Sequence, residues 1–335
     1  GATILFLVLG ISLAGAGIVF LWLLALLLAV IHPRFLCFSY AGGIISLVHL
    51  VFGHPAIDPA AILALVAILH LMEALLITVQ GSDQPAPVYI KHPSGPVVGG
   101  FSLQRFWPLP FVALFAVAVL NNSLDFGTID MPEWWPLLKP KTDIPPDHSL
   151  VYFMLPLMAA LGYGDMAVST KPEAKAKESA AALFVFSLIL LALSLVASRV
   201  PGAAWAAALF APLGHEWVIY AGQKRELRRS PVFTDEHGLM VLDVYPGSPA
   251  AAMKLRAGDV IRSLNGEPIH TVKDLVDQTT PWVIDPILEV ENVVDKEPAR
   301  IVAYKGKLPP IGIIPVPDRQ QAVYLKMNGG TLISW

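Results

Sequence analysis

The chain has 335 residues, 55% of them hydrophobic and 15% charged, and a mean hydropathy of +0.61. Soluble domains carry about 25% charged residues, so the composition speaks against a soluble globular protein. The net charge of −3 without a basic stripe speaks against nucleic acid as a partner, and Cys37, the single cysteine, leaves no intrachain disulfide, Cys-rich metal site or thiol redox pair.

The average hides a division. Residues 1–220 hold 9 Lys+Arg and 12 Asp+Glu, whereas residues 221–335 hold 14 and 14, so a third of the chain carries more than half of its charge. The shift falls at Lys224 and Arg225, and the cluster Lys224, Arg225, Arg228 and Arg229 directly follows an apolar run, as the cytoplasmic flank of a last membrane span would. The chain is therefore expected to be a polytopic α-helical membrane domain over residues 1–222, followed by a small α+β domain with a C-terminal extension over residues 223–335.

In chain order, Gly1 leads directly into apolar sequence without a charged n-region or a small-residue cleavage site, which implies further residues upstream rather than a signal peptide. Residues 2–31 contain no charge. As one helix they would be ~45 Å long against a hydrocarbon core of ~30 Å, which fits one tilted helix or a hairpin around Gly15 and Gly17. His32, Pro33 and Arg34 break the run, and further apolar stretches follow at residues 35–52, 59–79, 106–120, 150–161, 180–196 and 203–220. Together they predict six to eight spans. Residues 121–148 are acidic and carry Trp134 and Trp135 as interface anchors, so they are expected outside. Lys171, Lys175 and Lys177, like Lys91 and Arg105, mark their segments as cytoplasmic.

Past the charge shift, Gly238-Leu239-Met240-Val241, Gly247-Ser248-Pro249-Ala250, Gly258-Asp259-Val260-Ile261 and Asn265-Gly266 follow one another in a fixed order. Alternation over residues 239–244 predicts a strand, Pro-Gly-Ser-Pro opens a short helix, residues 259–264 return as a strand, and Asn265-Gly266 turns tightly. Thr271 is placed to cap a helix from Val272. This order resembles a bacterial PDZ domain, a fold that accepts an extended peptide as an added strand. The resemblance assigns the carboxylate loop and edge strand to Gly238, Leu239, Met240 and Val241, and the opposite wall to Val272, Leu275 and Val276. The plain alternative is that these apolar residues are core.

Other chemistry weighs less. His215-Glu216 matches the start of HExxH, but the position of the second histidine holds Ile219, so no zinc site is expected, and an interfacial His and Glu that cap or pair near Lys224 and Arg225 are favoured. His70 and Glu73 lie one turn apart in an apolar stretch and fit a polar contact between helices or, less well, an ion pathway. Ser102 has no recognisable basic partner. No catalytic residue, metal or cofactor is expected.

The polytopic region with a terminal PDZ domain resembles the MinJ-type topological determinants of bacterial cell division. The resemblance extends to Pro87-Val88-Tyr89-Ile90-Lys91, Gly99, Leu103 through Pro110, and the stretch from His215-Glu216 through Arg228-Arg229-Ser230-Pro231-Val232-Phe233 into Gly238 through Leu242. It implies a non-catalytic adaptor in the cell membrane, enriched at septum and poles, which links the polar scaffold DivIVA to the ATPase MinD and so keeps FtsZ from assembling at the wrong place. A regulator or inactive relative of an intramembrane protease, or a transporter using Glu73, are the other readings.

Overall fold

The structure, a computed structural model, describes every residue except 15, 94, 122–128, 140–143, 280–282, 319–322 and 327–335. It divides into two compact units: Gly1–Gly81, Arg105–Tyr163 and Lys177–Ala221 form the first, and Ser82–Gln104, Gly164–Ala176 and Gly222–Trp335 the second. Two segments that the sequence places in loops of a membrane domain thus belong to the unit that holds the C-terminal domain.

The first unit is built around an apolar helix. After α1 (Ala2–Leu9), α2 (Ile18–Ile31) and a 3-10 turn (Pro33–Leu36) come α3 (Phe38–Phe52) and α4 (Pro59–Gln80). Helix α4 starts where Asp58 accepts the Ala60 N–H at 3.1 Å and Pro59 occupies the first helical position, both standard start signals. Its apolar stretch is 83% buried within the protein. The later helices are α5 (Pro172–Ala197) and α6 (Ala203–Arg228), and α6 contains Pro212. Pro212 cannot donate to the Ala208 carbonyl. Gly43 of α3 fits against this step: a Cβ there would lie 2.4 Å from Pro212 Cδ and 2.8 Å from the Ala208 oxygen.

The expectation of six to eight helical spans needs correction. Residues 106–120 and 150–161 are not helices; they lie in the long strands β2 (Val97–Leu120) and β3 (His148–Ala167), neighbours in a sheet ordered β10-β1-β2-β3 with β1 (Ala86–Lys91) and β10 (Leu325–Lys326). Pro108 and Pro110 explain the first case, because two prolines two residues apart deny a helix its backbone donors, and the Phe- and Val-rich sequence after them suits a strand. Among the described residues, α4 and α5 are the helices long and apolar enough to cross a membrane, and Ile18–Ile31 and Phe38–Phe52 are shorter. Much of the segment expected outside, residues 122–128 and 140–143, lies beyond the described residues.

In the second unit, β1 pairs antiparallel with β2 from Ala86↔Ser102 to Lys91↔Val97, and Ile90, Val98, Met166 and Val168 pack together as a small core. The C-terminal domain contains β4 (Val241–Val244), α7 (Pro249–Ala252), β5 (Asp259–Leu264), β6 (Glu267–Pro268), α8 (Val272–Thr279), β7 (Ile287–Asn292), β8 (Glu297–Ala303) and β9 (Ile313–Pro315). Its sheets are β6-β5-β7-β8 and β4-β9. The core between them holds Leu239, Val241, Ala250, Met253, Leu255, Ile261, Leu264, Ile269, Leu275, Leu288 and Val290, with Ile311 and Ile313 packed against it.

Candidate functional site

The frame of the C-terminal domain follows from its turns. Ser248 caps α7 by accepting the Ala251 N–H at 3.2 Å, and Pro249 takes the first helical position. Gly258 stands at φ +86 in front of Asp259, whose side chain is fully buried. That carboxylate accepts from Arg300 Nη2 at 2.6 Å, Asn292 Nδ2 at 2.9 Å and the Arg256 backbone N–H at 3.0 Å, so its charge is compensated where it lies. At α8, Thr271 Oγ1 accepts the Asp274 N–H while the Asp274 carboxylate accepts the N–H groups of His270 and Thr271. This reciprocal cap holds the Asp274 carboxyl below its usual 3.8, the His270 N–H having the largest effect.

The residues assigned to the groove separate into two groups. Leu239 oxygen accepts from Ile261 N–H, Met240 bridges Val260, and Val241 oxygen accepts from Gly258 N–H, so this stretch is bound on its β5 side. On the other side Val316 N–H donates to Met240 oxygen, and β9 pairs with β4 at Val241↔Pro315, Asp243↔Ile314 and Val244↔Ile313. Met240 and Val241 are therefore interior to the sheet, which corrects their placement on an open edge. Gly238 precedes them at φ +99. Leu275 is 4% exposed and belongs to the core, a second correction, whereas Val272 and Val276 are 46% and 52% exposed, one turn apart on α8.

The open edge belongs to β9. Among the described residues its strand neighbour is β4 alone. Gly312 oxygen and Val316 N–H both point at β4, so by alternation Ile313 and Pro315 direct their backbone groups outward. Pro315 has no N–H to offer, and its oxygen takes the Tyr89 hydroxyl at 3.0 Å. An added strand thus finds the N–H and C=O of Ile313 at the centre of a short edge. Gly312 enters the strand at φ +78, where a Cβ would lie 2.3 Å from Ser248 Cβ. The sequence signal was present in Pro309-Pro310-Ile311-Gly312-Ile313-Ile314, a stop followed by glycine and a β-branched run, within what reads as a tail.

Lys175, expected as a cytoplasmic-flank lysine, is only 2% exposed; it lies 3.3 Å from Asp165 and 3.9 Å from Glu226. Glu226 also accepts from the Val168 and Ser169 N–H groups and the Ser169 and Thr170 hydroxyls at 2.7–3.1 Å. Lys171 pairs with Asp295. These lysines tie the second unit together, and Lys177 is the exposed one of the three.

In the first unit, both Glu216 carboxylate oxygens accept from Arg34 Nη2 at 2.6 Å, and the Tyr40 hydroxyl donates to the same group at 2.6 Å. Glu216 thus pairs with Arg34, a cation that the expectation of pairing near Lys224 and Arg225 did not name. His215 faces the other way, toward Cys37 at 3.7 Å, and Cys37 Sγ is 3.1 Å from His70 Nε2. Sequence spacing on α6 alone gave no sign of this meeting, since the partners come from positions 37 and 70.

The sequence pattern of the PDZ domain matches residues 240–277. The cell division topological determinant MinJ of Bacillus subtilis (strain 168) is 25% identical to the chain over 194 residues, which are 56% of this chain and 44% of MinJ. The chain thus spans less than half the length of that relative. It contains a PDZ domain and is distantly related to MinJ.

Proposed function

We propose that this chain is a non-catalytic membrane adaptor in division-site selection. It joins a DivIVA-like scaffold to a MinD-like ATPase, with its PDZ domain in the cytoplasm and the assembly enriched at septum and poles. The similarity to MinJ together with the PDZ domain carries the proposal. The apolar helices Pro59–Gln80 and Pro172–Ala197 support attachment to the bilayer. The unpaired β9 edge supports capture of an extended partner segment, with Val272 and Val276 as exposed apolar positions on α8. A non-catalytic role is supported at Glu216, whose two oxygens are engaged by Arg34 and Tyr40 and are not free to activate water.

The test is co-purification of this chain in detergent with each candidate partner, beside a fluorescent fusion in dividing cells. Capture of both proteins and signal at septa and poles are expected. An even distribution over the membrane with neither protein captured would overturn the proposal.

A further inference from the structure

Three side chains far apart in the sequence meet inside the first unit. Cys37 is the N-cap of α3, His70 lies in the middle of α4, and His215 follows the Pro212 step of α6. Cys37 Sγ lies 3.1 Å from His70 Nε2 and 3.7 Å from His215 Nε2, and the ligand atoms of the three residues are all within 4.8 Å of one another. With Zn–S of ~2.3 Å and Zn–N of ~2.0–2.1 Å, tetrahedral angles place a sulfur and a nitrogen ligand ~3.6 Å apart. The two observed separations fall on either side of that value.

The surroundings are those of a built site. His70 Nδ1 lies 2.8 Å from the Val66 carbonyl one turn back, so that nitrogen carries the proton and Nε2 presents its lone pair to the cluster. Cys37 Sγ also accepts the Ser39 N–H at 3.4 Å, a contact that fixes the position of the sulfur at the start of α3. Phe186 packs edge-on against both imidazoles, with ring centroids 5.6 Å apart in each case, and Tyr40 packs against His215 at 5.4 Å. The metal-free counterpart is a chain in which the Cys37 S–H donates to His70 Nε2 and a His215 Nε2–H donates to the sulfur, and it differs from a metal site in that it needs no third ligand atom drawn to a common centre.

We propose that Cys37, His70 and His215 bind a borderline-soft divalent transition ion of the zinc class. Thiolate and imidazole are the donors such an ion prefers, and three protein ligands leave a fourth tetrahedral position for water. Glu216 is held by Arg34 and Tyr40, so the site acts as a clasp for α3, α4 and α6. The expectation of no zinc rested on α6 alone, where a second histidine is missing; its place is taken by ligands from two other helices.

The experiment is done on the unmutated chain in detergent, loaded with zinc, dialysed and measured for metal content, then stripped and titrated with cobalt(II). One zinc per chain is expected, with a thiolate-to-cobalt charge-transfer band and the visible intensity of a tetrahedral ion. Cys37→Ser should abolish that band, and His70→Ala or His215→Ala should weaken zinc binding more than 100-fold, while His237→Ala at an exposed histidine changes neither. Substoichiometric zinc, an octahedral cobalt spectrum, or a charge-transfer band that survives in Cys37→Ser would overturn the proposal. The wild-type spectrum decides the matter even where a variant fails to fold.

Discussion

Arg300→Met tests whether the PDZ frame rests on its buried ion pair. The variant keeps side-chain volume but leaves the fully buried Asp259 carboxylate with Asn292 and the Arg256 N–H as partners and no cation at 2.6 Å. Removing one member of a buried pair costs ~3–5 kcal/mol, and the lower end applies here because the Arg300 side chain is 30% exposed and water reaches the vacated position. About 3 kcal/mol is a large part of a stability of ~5–15 kcal/mol and corresponds to a roughly hundredfold rise in the open population. Hydrogen exchange of the whole chain reads this directly: the β5 and β7 amides should exchange about a hundredfold faster, with α4 unchanged. Combining Arg300→Met with Asp259→Asn removes the orphaned charge and should recover part of the loss. Acceleration below threefold in the single variant, or a double variant no better than the single, would refute the reasoning.

Gly312→Ala should destabilise the PDZ domain by at least ~1 kcal/mol, since the left-handed backbone alone carries that cost and the new Cβ would meet Ser248; faster exchange at β4 is the readout. Val276→Glu places a charge on an exposed position of α8 and should weaken partner capture several-fold (~1 kcal/mol) without changing exchange, whereas Leu275→Glu should unfold the domain, and unchanged capture by a folded Val276→Glu would remove this face from the binding surface. Asp274 has a folded pKa below its ordinary 3.8, so its contribution to α8 is complete above that value and lost as pH falls through the folded value; Asp274→Asn should therefore loosen α8 at neutral pH and make no difference in acid, as followed by circular dichroism. Since residues 106–120 and 150–161 are strands, no described helix crosses between Asp130 and Lys177, so cysteines at these exposed positions, in a Cys37→Ser background, should label from the same side of the membrane, and labelling from opposite sides would restore the expectation that the acidic segment lies across the bilayer from the lysines.

The PDZ domain was legible in the sequence because its signals are local. Gly258 before Asp259, Asn265-Gly266, Ser248-Pro249 and Thr271 three residues before Asp274 each specify a turn or cap through the chemistry of adjacent residues. The change in charge density at Lys224 is equally local. Hydrophobicity alone did not separate helix from strand over residues 106–120 and 150–161, where long apolar runs suit either, although Pro108 and Pro110 carried the decisive steric information. Which strand forms the edge of the PDZ sheet depends on β9 returning from 70 residues downstream to cover β4, a pairing that alternation within residues 239–244 cannot encode. The meeting of Cys37, His70 and His215 likewise spans sequence separations of 33 and 178 residues. Each residue alone reads as an interfacial or core polar group, and only the packing of α3, α4 and α6 sets three metal-binding atoms within bonding reach of one ion.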